Sequence, residues 1–123
     1  MIEFESYEFQ VTPELNDQYR FAVQDYHPRY EEIVHPGLLL NYSNLTRSPN
    51  FDVVLKSGAA VHTKEEVEFI KPGKVGQIFK VMWTIIDEYE KRDRLYTVIE
   101  AVVVAQEGII IRRKTVGFVT KGE

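Results

Sequence analysis

The sequence predicts an α+β domain in which a long antiparallel β-sheet is wrapped around a central α-helix. An apolar segment that starts at Pro36-Gly37 contains three consecutive leucines, which cover a wide arc of a helix and indicate burial on most sides. Three long strand-like segments follow later with tight turns between them, a pattern typical of an antiparallel meander. One buried helix ahead of such a meander favours a sheet that encloses it.

The length and composition favour one domain over residues 1–123 and exclude several classes of function. The chain has no cysteine, which excludes disulfides, thiolate nucleophiles and zinc–thiolate sites and fits a cytoplasmic location. The net charge of −4 provides no basic field for nucleic acid. The acidic N-terminus has no apolar core typical of a signal peptide, and no apolar run approaches the roughly 20 residues that span a bilayer. We therefore expect neither a nucleic-acid nor a membrane partner.

The first helix is predicted to begin at Thr12, which can cap it, with Pro13 at the first helical position. It should end near Asp25, because Pro28 disfavours helical geometry at the residue before it. The central helix is expected to end at residues 48–50, which read Ser-Pro-Asn. The predicted strands are a short strand or extended arm around Tyr7 and segments 51–55, 59–69, 77–89, 95–105 and 109–119.

The stretch QDYHPRYEEIVHPGLLL, residues 24–40, concentrates polar groups immediately before the central helix. It contains one aspartate, two of the three histidines of the chain and two tyrosines. A carboxylate and an imidazole that reach one water are what general acid–base chemistry requires. The same residues could instead form an ordinary loop with locally satisfied hydrogen bonds.

Three segments give the chain a resemblance to a known family. They are FAVQDYHPRY, then IVHPGLLL, and then the long run from VHTKEEVEFIKPGK to RRKTVGFV. Together they resemble the MaoC-like dehydratase/hydratase family of the hotdog fold, in its degenerate or N-terminal-half form, over residues 9–120. The order and spacing of the segments carry the resemblance, since no single one is decisive.

The resemblance implies a chemistry and an assembly. Family members hydrate enoyl thioesters or dehydrate (R)-3-hydroxyacyl thioesters, usually of coenzyme A, which enters as part of the substrate and not as a separate cofactor. An aspartate and a histidine five residues later handle the protons, and a backbone N–H at the start of the central helix polarises the thioester carbonyl. Hotdog domains pair through their sheets, so we expect a homodimer or a heterodimer with a related chain.

Only some of the family's site residues have a counterpart in this chain. Asp25 stands where the family has its aspartate, but Tyr30 stands where it has the histidine. A tyrosine with an ordinary pKa near 10 does not replace an imidazole without strong tuning. His27 follows two residues after Asp25, which suggests an Asp25–His27 pair as a substitute. Gly37 and Leu38 provide the N–H groups that would serve as the oxyanion donor.

Each candidate also has a plain structural interpretation. Asp25 suits a capping role in the turn, and Tyr30 suits packing with a satisfied hydroxyl as well as donation to a ligand. His35 either faces the ligand or bonds a backbone group, and Asn41 either faces the ligand tunnel or bonds back to its helix. His62 is interpreted as a surface or sheet-edge residue.

Arg112 and Arg113 in the last strand are either a solvated edge or contacts for the phosphates of coenzyme A. No metal site is expected, because no two histidines have the i, i+4 spacing on a clear helix.

Three functions remain open at this point. The first is an enoyl-CoA hydratase or 3-hydroxyacyl-thioester dehydratase. The second is a non-catalytic subunit that binds acyl-CoA or an acyl-carrier thioester beside a catalytic partner chain. The third is a hotdog acyl-CoA thioesterase, which the turn motif fits less well.

Overall fold

The computed structural model describes residues 2–3, 6–44 and 61–120. Two α-helices, one 3-10 helix and six strands lie within these residues. Their bounds are β1 Ile2–Glu3, β2 Tyr7–Gln10, α1 Pro13–Ala22, the 3-10 helix Pro28–Glu31, α2 Pro36–Tyr42, β3 Val61–Phe69, β4 Ile78–Lys91, β5 Arg94–Ala105 and β6 Gly108–Thr120. The predicted strand at 51–55 and the predicted helix end at 48–50 lie outside the described residues.

The strands form one antiparallel sheet with the order β1-β4-β5-β6-β3, and β2 also pairs with β4. The meander of β4, β5 and β6 is confirmed, with each strand paired to the next along the chain. Its first turn places Arg92 and Asp93 at φ of 52° and 63°, the left-handed pair that a two-residue hairpin with native twist needs. β3 precedes the meander in sequence but pairs with its last strand, so it forms one edge of the described sheet.

The core lies between α2 and the concave side of the meander. Leu38 and Leu39 are buried there, together with Phe79 and Trp83 of β4. Trp83 donates its indole N–H to the carbonyl of Ser43 at 3.1 Å, which fixes the end of the helix on the sheet. The predicted fold class, an α+β hotdog domain with an antiparallel sheet around a central helix, is confirmed.

α1 begins as predicted but ends earlier. The Thr12 hydroxyl accepts the N–H of Leu15 at 3.1 Å, and Pro13 occupies the first helical position. The helix ends at Ala22 and not near Asp25, because the chain turns through Gln24 with φ of 58°. Because Gln24 adopts the left-handed conformation, the helical hydrogen bonds end before the chain reaches Pro28.

α2 begins at Pro36, one residue before the glycine, and ends at Tyr42. The helix is shorter than the segment that was predicted to end at residues 48–50. Its last carbonyls are already satisfied, because the Ser43 hydroxyl and the Arg113 guanidinium both donate to the carbonyl of Leu40, at 2.6 and 3.1 Å. Such donors cap the open end of a helix.

Candidate functional site

The connection from α1 to α2 folds back so that the start of α2 meets the end of α1. The N–H of Asp25 donates to the carbonyl of Arg20 at 2.8 Å, and the 3-10 helix then reverses the chain. Asp25 and His35, ten residues apart, are thereby brought together with the Oδ2 of Asp25 3.1 Å from the Nε2 of His35. This is the carboxylate–imidazole pair of the site.

The hydrogen bonds of His35 assign its neutral tautomer. Its Nδ1 accepts the N–H of Gly37 at 3.1 Å and therefore carries no proton in the neutral ring. Its Nε2 then carries the proton and donates it to Asp25. Both ring nitrogens are thus engaged by groups of the chain itself, and His35 also acts as the N-cap of α2.

Two tyrosine rings hold the imidazole of His35 in place. The ring centroid of Tyr30 lies 4.6 Å and that of Tyr19 lies 5.1 Å from that of His35. The side chain of His35 is only 16% exposed, whereas that of Asp25 is 37% exposed. The pair is therefore open to solvent on the carboxylate side and enclosed on the imidazole side.

The carboxyl of Asp25 is stabilised in its charged form. Desolvation raises its pKa, but the hydrogen bond from His35, the backbone N–H of His27 and the nearby charges of His35 and Arg29 outweigh that effect. The pKa of Asp25 is consequently held below its ordinary value of 3.8.

The ring of His27 bonds to the backbone of Arg29 and not to Asp25. Its Nδ1 accepts the N–H of Arg29 at 3.2 Å, which makes it the cap of the 3-10 helix. It contributes to Asp25 only through its backbone N–H, 3.4 Å from Oδ1. The histidine whose ring meets Asp25 is therefore His35, and not His27 as the sequence suggested.

Tyr30, which occupies the position of the family histidine, is a packing residue in this arrangement. It is buried, with 7% of its surface exposed, and its ring lies against His35 and edge-on to His27. The guanidinium of Arg29 lies 5.2 Å from its centroid. Whether its hydroxyl donates to a ligand stays a prediction.

The two predicted oxyanion donors are already used within the chain. The N–H of Gly37 donates to His35, and the N–H of Leu38 donates to the carbonyl of His35 at 3.0 Å. A thioester carbonyl would have to share or displace these bonds. Gly37 also lacks room for a side chain, because an added Cβ would lie 2.3 Å from the hydroxyl oxygen of Tyr19.

The remaining predicted residues lie apart from the pair. Asn41 is exposed on α2. Arg113 is 14% exposed, donates to Ser43 Oγ at 3.2 Å as well as to the end of α2, and forms an ion pair with Glu65. Arg112 is 43% exposed and forms only long ion pairs on the sheet surface. A role of either arginine toward phosphates stays a prediction.

His62 lies in β3 opposite Gly117. Within residues 6–44 and 61–120, no cluster of three or more histidine, cysteine or acidic side chains has metal-binding geometry. None of the helices described here is long and apolar enough to cross a membrane.

An apolar groove of about 360 Å³ opens beside the start of α2. Phe69 and Ile70 form its outer wall and are 54% and 40% exposed. Pro36 contributes to the groove and is also the residue after His35, so the groove adjoins the pair. The remaining apolar lining includes Val34, Leu39 and Ile111. Large exposed apolar side chains around a groove mark a binding surface.

Sequence reasoning missed the role of Asn16 altogether. Asn16 of α1 is 1% exposed, and its side chain bonds three backbone groups of the connection that carries the pair. The only sign of it in the sequence is that a polar residue directly follows Leu15 on α1, a helix whose apolar residues form only a weak pattern.

Comparison with solved structures identifies the fold. The Archaeoglobus monoamine oxidase regulatory protein is 14% identical with a TM-score of 0.74, over 99% of this chain and 90% of that one. The (R)-hydratase from A. caviae involved in PHA biosynthesis is 14% identical with a TM-score of 0.70, over 94% and 92%. The MaoC-like dehydratase from Rhodospirillum rubrum is 10% identical with a TM-score of 0.69, over 99% and 92%.

The chain has the hotdog fold, and its resemblance to MaoC-like dehydratases and hydratases is confirmed at the level of that fold. No family model matches the sequence. No curated protein matches it either.

Proposed function

We propose that this chain is an acyl-thioester-binding hotdog subunit of the hydratase/dehydratase type, and that a second hotdog chain supplies the acid–base pair of the reaction. The observation that carries the proposal is the state of His35. Its Nδ1 accepts from Gly37 and its Nε2 donates to Asp25, so neither nitrogen is free to exchange a proton with a substrate.

The pKa of Asp25 supports the same conclusion. A carboxylate whose pKa is held below its ordinary value is a weak base, whereas a general base works best with a pKa near the operating pH. Tyr30, in place of the family histidine, is buried against His35 and supplies no imidazole. The chain retains the scaffold of the site without a free imidazole.

The groove beside α2 supports binding of an acyl chain. Its walls are apolar apart from Lys71, and Phe69 and Ile70 would lose exposed apolar surface on contact with a hydrocarbon chain. Among proteins of the same fold, smu.793 from Streptococcus mutans, 14% identical, was solved bound to acetyl CoA. The ChsH1-ChsH2 complex from Mycobacterium tuberculosis, which has the same fold in a chain 9% identical to this one, is a complex of two proteins.

The binding experiment uses the purified chain with butanoyl-CoA and hexanoyl-CoA, and measures affinity by calorimetry and the shift of thermal unfolding. A ligand at a hundred times its dissociation constant should stabilise the protein by about 2.7 kcal/mol. Ile70→Glu places a charge in the groove and should abolish the shift. Ile78→Glu is the matched control, because Ile78 is 62% exposed and lies outside the groove lining.

A hydratase that acts without a partner is the second candidate, and the 3.1 Å contact of Asp25 with His35 favours it. Its test is hydration of crotonyl-CoA by the chain alone, beside Asp25→Asn and His35→Gln. Absence of turnover with saturable binding supports the binding subunit. Turnover that is lost in Asp25→Asn and also in His35→Gln would establish the hydratase. Release of free coenzyme A thiol would establish the thioesterase. Failure to bind either acyl-CoA would refute the binding subunit.

A further inference from the structure

Asn16 is a buried amide whose hydrogen bonds all go to the connection between α1 and α2. Its Nδ2 donates to the carbonyls of Tyr30 and Ile33, at 2.6 and 3.2 Å. Its Oδ1 accepts the backbone N–H of His35 at 2.9 Å. Asparagine is mostly an exposed residue, and one that is 1% exposed is retained only where its polar atoms are satisfied.

The three bonds tie separate parts of the connection to α1. They attach the end of the 3-10 helix, the segment after it and the capping residue of α2 to one point on α1. Tyr19, one helical turn further along α1, places its ring against His35. The same face of α1 thus holds both the backbone and the ring of His35.

We propose that Asn16 is a positioning residue that sets the orientation of the His35 imidazole between Gly37 and Asp25. The bond to the N–H of His35 fixes the backbone from which the ring projects. The bonds to Tyr30 and Ile33 fix the return of the chain that brings Asp25 within reach. Asn16 makes no contact with Asp25 itself in the described hydrogen bonds, so its effect on the pair passes through His35.

A merely structural role for Asn16 predicts a different result. In that case its loss would lower the stability of the fold, as any buried substitution does, and the folded protein would keep the same His35 ring state. A positioning role predicts a change in the ring state of the molecules that are still folded. The two roles are therefore separated by a measurement on the folded protein.

The experiment is ¹⁵N–¹H NMR of the histidine rings of the full chain, with assignment by His27→Gln and His35→Gln. Wild type should show His35 as the tautomer protonated at Nε2. Asn16→Ala should give a mixture of tautomers. Leu15→Ala is the matched control, because it removes apolar core contacts of the neighbouring residue on α1 and leaves the three bonds of Asn16 in place. It should lower the melting temperature without changing the His35 signal.

Asn16→Asp provides a second variant if Asn16→Ala does not fold. It keeps an acceptor for the N–H of His35 but loses at least one of the two donated bonds, because a carboxyl has at most one O–H. The His35 amide should therefore stay protected from hydrogen exchange while the tautomer mixture still appears. Wild-type His35 signals in a folded Asn16→Ala or Asn16→Asp variant would overturn the proposal.

Only the expected effect of Asn16 on ligand binding rests on the proposed function. If the chain binds hexanoyl-CoA, Asn16→Ala should bind it at least about tenfold more weakly, which corresponds to ~1.4 kcal/mol, whereas Leu15→Ala should bind it normally. Equal affinity of wild type and Asn16→Ala would contradict that consequence. Absence of binding by wild type refutes the proposed function, and the NMR result still decides the role of Asn16.

Discussion

Asp25 and His35 show what single residues contribute to this site and why the sequence alone did not pair them. Asp25 was assigned from the resemblance to the family; the structure pairs it with His35, and its catalytic role stays a prediction. Its partner depends on the path of the ten intervening residues, which includes the left-handed Gln24 and the 3-10 helix. No periodicity encodes such a path, so the nearest histidine in sequence, His27, was the natural but incorrect choice of partner.

Asp25 should make the stability of the protein depend on pH in a defined window. Because its folded-state pKa lies below the ordinary 3.8, its contribution is complete above the unfolded pKa and is lost as the pH falls through the folded pKa. We therefore expect the melting temperature of Asp25→Asn to lie below that of wild type at pH 6 to 7 by an amount that stays constant down to about pH 5 and then shrinks. Thermal unfolding of both proteins across this range is the measurement.

The control for this pH experiment is Glu88→Gln, which neutralises an exposed carboxylate on β4. It should not reproduce the difference. A gap between Asp25→Asn and wild type that widens toward low pH would have the opposite sign to the one expected for a lowered pKa.

A side chain at Gly37 should clash with the Tyr19 hydroxyl. The Cβ of Gly37→Ala would lie 2.3 Å from that oxygen and 3.1 Å from the ring carbon that carries it. We expect Gly37→Ala to destabilise the protein by about 1–3 kcal/mol, the usual cost of overpacking. Chemical denaturation measures this cost, and Tyr19→Phe in the same chain should recover part of it, because it removes the clashing oxygen. Additive effects in the double-mutant cycle would show that the two residues do not clash.

At the scale of elements, the sequence predicted the strands better than the helices. The meander strands were placed within one or two residues, because they are rich in β-branched and aromatic residues and the turns at Arg92-Asp93 and at residues 106–108 mark their ends. The end of α2 was missed because it is determined by tertiary contacts, above all the guanidinium of Arg113 at the last carbonyls. The pairing of β3 with β6 is likewise set by the sheet and not by β3 itself.

The end of α2 should therefore depend on Arg113 far more than on its neighbour. Arg113→Met removes two hydrogen bonds to the helix end and the ion pair with Glu65, and should cost about 1–3 kcal/mol in the free energy of unfolding. Arg112→Met is the matched control on the same strand, and should cost no more than about 0.5 kcal/mol because its ion pairs are exposed and 3.8 and 4.0 Å long. Urea denaturation of the two variants measures these costs. Equal costs would show that the Arg113 cap of α2 contributes nothing to the free energy of unfolding.

At the scale of the whole molecule, β3 lies at one edge of the described sheet, because among the described strands it pairs only with β6. A sheet edge is a template for pairing with a second chain, and the expected dimer would continue the sheet through such a strand. The exposed charges of β3 are unbalanced, since Glu65, Glu66 and Glu68 accompany a single Lys64. Two copies that pair antiparallel through this edge bring together more carboxylates than ammonium groups, and this net excess of negative charge disfavours pairing.

We therefore expect any homodimer formed through β3 to be weak at low salt and to strengthen as salt is added. Raising the ionic strength from about 0.1 M to about 1 M shortens the Debye length from ~10 to ~3 Å and screens this repulsion. Sedimentation equilibrium across the range should show an association constant that rises several-fold, and Glu66→Gln should raise it already at low salt. An association constant that falls with salt would instead indicate an interface in which opposite charges dominate, and would contradict the expected net repulsion.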